Sequence, residues 1–134
     1  MNKKNKKGFT IIELIVVIAI IAVLAAIVLV NVTGYINKGK NAAIQGNMAS
    51  LMTDEADYFN TNATYMPAAA SATLAILAAV GSAGGTSPQY GVNGSTGWCY
   101  KIALIGGGNW CVDSSGYKGT TASSCTSPTS ASCQ

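Results

Sequence analysis

The sequence contains no histidine, the side chain most often used as a general base near neutral pH. Beyond Asp57 the only carboxylate is Asp113, so the C-terminal half cannot assemble a catalytic acid pair. Charge is scarce there altogether. Lys101 and Lys118 stand against Asp113, and no basic patch exists to follow a nucleic-acid backbone. The run Gly106–Gly108 is too short and too far from any helix start to cradle phosphate. Proline is missing from Met1 to Tyr65, so nothing of that kind stops a helix over that length. Polar side chains are missing from Leu14 to Val30. Together these absences argue against an enzyme, a resident cofactor or a nucleic-acid partner.

What stands in their place is one stretch near the start, Gly8-Phe9-Thr10-Ile11-Ile12-Glu13, running into the apolar block Leu14–Val30. From Phe9 to Val30 the only polar residues are Thr10 and Glu13. As a helix rising about 1.5 Å per residue, this segment spans roughly 33 Å, enough to cross a bilayer core. Glu13 is its anomaly. A carboxylate inside a membrane span costs on the order of 3 kcal/mol and normally has a partner. One local explanation is a capping box, with Thr10 capping the helix and Glu13 reaching back to the Thr10 backbone N–H. That accounts for a hydrogen bond but not for Lys3, Lys4, Lys6 and Lys7, the small residue at the junction or the Phe that follows it.

Lys-Lys-Gly8-Phe9-Thr10-x-x-Glu13-Leu14, followed by an Ile/Val/Ala/Leu block, resembles the signal of type IV prepilins and type II secretion pseudopilins. The resemblance covers residues 1 to about 60. It implies cleavage by prepilin peptidase between Gly8 and Phe9 and N-methylation of the new N-terminal Phe9. It also implies a partner for Glu13, the amine of a neighbouring subunit's Phe9, paired as subunits leave the membrane for a filament. An ordinary secretory signal fits less well, because the apolar block exceeds an h-region and no A-x-A-like site closes it. A plain single-pass anchor fits the hydropathy but leaves Gly8, Phe9 and Glu13 without a reason.

Charge sorts by position. The formal +3 comes from the four leader lysines. Cleavage after Gly8 leaves four lysines against five acids, a net −1. Before cleavage the lysines keep the N-terminus cytoplasmic by the positive-inside rule, placing everything after Val30 outside. The head is small for a single core, so further stabilisation is expected. Cys99, Cys111, Cys125 and Cys133 supply it. An even number of cysteines, with no histidine and no Cys-x-x-Cys, favours two disulfides in an oxidising exterior over zinc. Connectivity is open on sequence alone. Short separations favour Cys99–Cys111 with Cys125–Cys133.

Along the chain, Ile36, Ile44, Met48, Leu51, Met52, Tyr58 and Phe59 mark one apolar helical face, with Asn47, Asp54, Glu55 and Asp57 mostly elsewhere. Gly34, Gly39 and Gly46 weaken the helix over 31–47. Asn60–Pro67 reads as the helix exit. Ser71 is placed to cap a short Ala-rich helix over 72–80 that ends at Gly81, and 81–88 reads as a connector. Three strands follow, at 89–92, 98–105 and 110–113, with a turn at 106–109. Trp98, Tyr100, Ile102 and Leu104 share the face expected to cover the long helix, opposite Cys99, Lys101, Ala103 and Ile105. From Ser114 the chain is a Ser/Thr-rich tail. Major pseudopilins hold calcium in C-terminal loops, but Asp113 with Ser114 and Ser115 could at most begin such a site, and no metal is expected.

The expected fold is α+β, a long N-terminal helix packed on a small antiparallel, disulfide-stabilised head. Its parts are a removable leader (1–8), a transmembrane or filament-core helix (9–30), its amphipathic continuation (31–60) and the head (61–134). The expected function is that of a structural subunit of a type IV pilus-like surface filament. The partners are further copies of itself, prepilin peptidase, an inner-membrane assembly platform and, before assembly, membrane lipid. The alternatives are a pseudopilin of a secretion or DNA-uptake system and a non-polymerising anchored surface protein.

Overall fold

The computed structural model describes residues 8–67, 69–125 and 132–134. The basic leader before Gly8 and part of the Ser/Thr-rich tail lie outside the described residues. The order of elements is α1 (Ile11–Asn62), α2 (Ser71–Ser82), β1 (Thr86–Asn93), β2 (Gly97–Ala103), β3 (Asn109–Asp113) and β4 (Lys118–Thr120). The fold is α+β, as expected, and the chain divides into two units at Ile36/Asn37.

In the first unit, every described side chain from Phe9 to Ile36 is exposed. At about 1.5–3 kcal/mol per fully covered aliphatic side chain, covering that row is worth on the order of 20 kcal/mol. Nothing among the unit's described residues provides the cover. At the segment's polar end, Asn31 Nδ2 and Thr33 Oγ1 donate back to the carbonyls of Ile27 and Leu29.

The second unit is built on an antiparallel meander in the order β1-β2-β3-β4. Strand alternation gives the sheet two different faces. Tyr90, Tyr100 and Val112 lie opposite one another across three strands, as do Ile102 and Trp110 across two. This face meets Ile44, Met48 and Leu51 of α1 and Val80 of α2 in one core with Trp98. The face-sharing of Trp98, Tyr100 and Ile102 is thus as the alternation predicts. Ile36 is exposed, and buried positions on α1 begin at Ile44. Asn41 clamps the end of β2 to α1: its Nδ2 donates to the Ile105 carbonyl at 3.0 Å while its Oδ1 accepts the Ile105 N–H at 2.9 Å.

The opposite face carries Cys99, Lys101, Cys111 and Asp113, and the C-terminal segment straps it down. The disulfides are Cys99–Cys125 and Cys111–Cys133, which corrects the pairing suggested by short separations. Register is the reason. Cys99 faces Asp113 and Cys111 faces Lys101, so the two strand cysteines are diagonal neighbours. Diagonal Cα separations of about 7–8 Å exceed disulfide reach. Each cysteine instead meets the strap, at a Cα–Cα distance of 5.8 Å. Spacings of 26 and 22 residues correspond to about 3–4 kcal/mol each in the chain-entropy account. Lys101 Nζ adds a hydrogen bond to the Ser123 carbonyl at 2.7 Å.

Several local expectations give way to tertiary contacts. α1 runs to Asn62 and is closed by Ala63 in the left-handed region (φ 56°), with its N–H on the Phe59 carbonyl. Ser71 is the first residue of α2 and not its cap; Ala70 holds that place without a side-chain bond. α2 continues through Gly81 to Ser82, and the chain reverses at Gly84 (φ 100°). The expected connector 81–88 is already strand from Thr86, because β1 is an edge that tolerates Pro88 inside a bulge between Thr86 and Gln89. β2 and β3 are each offset by a residue or two from the expected strands. The fourth strand, Lys118–Thr120, has no sequence signal of its own and forms by pairing with β3.

Gly85 is the tightest point between α2 and the sheet. A Cβ there would lie 2.7 Å from Val80 Cγ1, 3.0 Å from Ile102 Cγ1 and 3.1 Å from the Val80 carbonyl oxygen. We expect Gly85→Ala to destabilise the head by about 1–3 kcal/mol, read as a lowered thermal midpoint. An unchanged midpoint would show that α2 shifts freely on the sheet.

Candidate functional site

The N-terminal end of α1 brings Thr10 and Glu13 into a reciprocal cap. Glu13 Oε2 accepts the Thr10 N–H at 2.8 Å and the Thr10 hydroxyl at 2.8 Å, and Thr10 Oγ1 accepts the Glu13 N–H at 3.3 Å. The capping box is therefore formed, and it occupies a single carboxylate oxygen. Among the described residues Oε1 accepts no hydrogen bond, which leaves it open to an outside donor. Gly8 has nothing within 4 Å of where a Cβ would stand, and Phe9 is 86% exposed. α1 is also long and apolar enough to cross a membrane, and none of the qualifying window is buried.

Residues 3–29 match the family model of the prokaryotic N-terminal methylation motif. The chain carries a prepilin-type signal. This signal marks a substrate of prepilin peptidase of the type IV pilin or pseudopilin kind, and with its apolar helix it fits membrane anchoring. No curated protein and no solved structure matches the chain.

Outside the prepilin-type signal, two buried carboxyl groups organise the head. Asp113 closes β3. Its Oδ1 accepts the Ser115 N–H at 2.9 Å, the Ser115 hydroxyl at 2.5 Å and the Tyr117 N–H at 3.2 Å. Its Oδ2 accepts the Cys133 N–H at 2.8 Å and the Ser132 hydroxyl at 3.5 Å. Burial pushes this carboxyl up, but the bonds from Ser115, Cys133 and Tyr117 outweigh it and hold Asp113 below the usual aspartate value. Both oxygens are taken by donors, so Asp113 staples turn and strap together. Ser114 Oγ is turned to the Trp98 N–H instead. No group of three or more metal-ligating side chains occurs among the described residues.

Glu55 is the second buried carboxyl, and its position corrects the expectation that it lies off the apolar face. It follows Ile44, Met48 and Leu51 by one more helical step and is 0% exposed. The i, i+4, i+7, i+11 spacing was the available signal, obscured because a charged residue is rarely assigned to a core stripe.

A depressed carboxyl contributes stability above its unfolded value and loses it as pH falls through the folded value. Asp113→Asn should therefore cost about 2–3 kcal/mol at neutral pH, where the bonds to a charged acceptor are lost. The gap from wild type should close in acid, below the depressed folded value. Thermal melts of both proteins across the acid range measure it, and a gap independent of pH would deny Asp113 its charge.

Proposed function

We propose that this protein is the structural subunit of a type IV pilus-like surface filament. The supporting observation is the pairing of a methylation motif with a wholly exposed apolar helix that holds one carboxylate oxygen in reserve. Residues 1–8 form the leader, and prepilin peptidase cuts between Gly8 and Phe9 and methylates Phe9. Residues 9–30 hold the subunit in the membrane with its N-terminus cytoplasmic, and an inner-membrane platform draws it out. In the filament, lipid around this helix is replaced by the same helix of other copies. Residues 31–60 continue the helix and 61–134 form the outward-facing head.

Glu13 sets the stagger between copies. In a low-dielectric core its free oxygen takes the charged Phe9 amine of a neighbour, while Thr10 keeps the other oxygen in place. That division lets the cap persist before and after assembly. The two disulfides suit an address outside the cytoplasm.

Processing is tested by the intact mass of membrane-extracted protein, which should begin at Phe9 and exceed the unmodified chain by one methyl group. Retention of Lys3, Lys4, Lys6 and Lys7 in surface material would reject the cut.

The assembly role of Glu13 is tested by Glu13→Gln. Gln serves the capping box, so the variant should insert and be cleaved. Removing one partner of a buried pair costs about 3–5 kcal/mol, enough to keep it out of sheared filaments. A normal filament yield would reduce Glu13 to a helix cap.

A further inference from the structure

At about 100° per residue, the stripe Ile44, Met48, Leu51 and Glu55 divides the rest of α1 in the head into two flanks. Met52, Ala56, Phe59 and Asn60 fall on one flank, Asp54, Asp57 and Thr61 on the other. The first flank walls a hollow of about 310 Å³, which the turn after β3 closes with Ser114 and Gly116. Its lining is largely aromatic. Phe59 stacks on Tyr65 at 4.6 Å, and Tyr65 meets Trp98 edge-on at 6.4 Å. Asp113 also lines it, but both its oxygens are taken by donors within the head. No atom lies within 4 Å of where a Cβ at Gly116 would stand, so the rim is open there.

α2 stands on the second flank, where Ala72 borders Asp54, Asp57 and Thr61. It turns Thr73 and Val80 into the core and leaves Leu74, Ala75, Ala78 and Ala79 exposed. Among the described residues after Ile36, Leu74 is the only exposed large apolar side chain, at 54%. α2 contains no charged residue, so this outer face is uncharged throughout. Charge marks the surroundings instead. Asp54 and Asp57 are exposed on the flank that α2 occupies. Lys118 is exposed on the edge strand β4, just beyond Gly116 and paired with Val112.

A knob and a hollow on opposite flanks of one head cannot meet within it. Between copies the same two surfaces make a heterologous contact, which repeats from copy to copy instead of closing on a pair. We propose that the aromatic hollow is a socket for a second copy of this chain, whose α2 enters by Leu74 while its Asp54 and Asp57 face Lys118. The inference rests on the reading of the chain as a filament subunit and adds the contact that its heads make. The occupant follows from chemistry. Aromatic walls whose one acid is already bound suit an uncharged apolar face, and removing both from water supplies the attraction. The acids beside that face answer the lysine beside the hollow, so charge selects which flank meets which.

The test is photocross-linking of the full chain in cells, with attachment sites mapped by mass in membrane and sheared-filament fractions. Leu74→p-benzoylphenylalanine should give dimers attached to Met52, Ala56, Phe59 or Tyr65 of the other copy. The reciprocal Ala56→p-benzoylphenylalanine should attach to α2 around Leu74, and it decides the matter if the first variant misfolds. Ala56→Trp fills the hollow from an exposed position and should cut the Leu74 adduct by about tenfold, with the thermal midpoint of the head unchanged. Lys118→Asp should lower the adduct by about two- to fivefold, and adding Asp54→Lys and Asp57→Lys should restore it. Dimers attached elsewhere, adducts only to lipid or to other proteins, or filaments bearing no adduct overturn the docking and leave the filament reading intact. Absence of wild-type filaments rejects the filament reading instead. The membrane fraction then decides the docking, which the mapped adduct there supports and its absence overturns.

Discussion

A helical segment whose described side chains from Phe9 to Ile36 all remain exposed is not explained by the folding of its own unit. Monomeric soluble proteins rarely leave contiguous apolar patches above a few hundred Å² uncovered, and this row is continuous around the helix. A bilayer is one cover that the length and composition of this segment fit. The polar features of the segment follow from that need. A carboxylate four residues after Phe9 is costly in an apolar surround, and the Thr10 cap holds that carboxylate while leaving an oxygen exposed.

The head answers a different shortage. A four-stranded sheet has two faces to cover, and after α1 little chain remains to do so. α1 and α2 cover one face with aliphatic and aromatic packing. Among the described residues the other face has no helix. It is covered by a hydroxyl-rich strap that brings few large apolar side chains, and two disulfides, Asp113 and the Lys101–Ser123 bond hold that strap in place. The small head is stable because covalent and charge-assisted links stand where a second hydrophobic layer would otherwise be needed.

Legibility followed the range of the interactions. The apolar segment, the motif at Gly8–Glu13 and the alternation through Trp98, Tyr100 and Ile102 depend on neighbours a few residues away, and all were visible in the chain. The disulfide pairing depends on strand register, and proximity in sequence pointed to Cys99–Cys111 when the sheet places those residues diagonally. β4 was invisible because Lys118-Gly119-Thr120 has little strand preference and takes its conformation from β3. A Cβ at Gly119 would meet the Tyr117 hydroxyl at 2.8 Å, so a larger residue there would displace that side chain. Glu55 was misplaced because residue type outweighed spacing. Its partners come from 11 and 45 residues away, beyond the reach of any local pattern.

The number of donors each carboxyl meets separates Asp113 from Glu55 more than burial does. Both are almost completely removed from solvent. Asp113 sits where a turn and a returning strap aim backbone N–H groups and hydroxyls at both oxygens, and the charge is the best acceptor for them. Glu55 meets two donors, the Met66 N–H at 2.9 Å and the Tyr100 hydroxyl at 3.4 Å, and burial there outweighs them. The same elements that build the core thereby push the two acids of one small head in opposite directions, Asp113 down and Glu55 up. Asp113 lies at the strap, where the disulfides already restrain the chain, and its charge reinforces them. Glu55 lies at the exit loop, which no disulfide reaches, and its bond to the Met66 N–H ties α1 to the chain that leaves it.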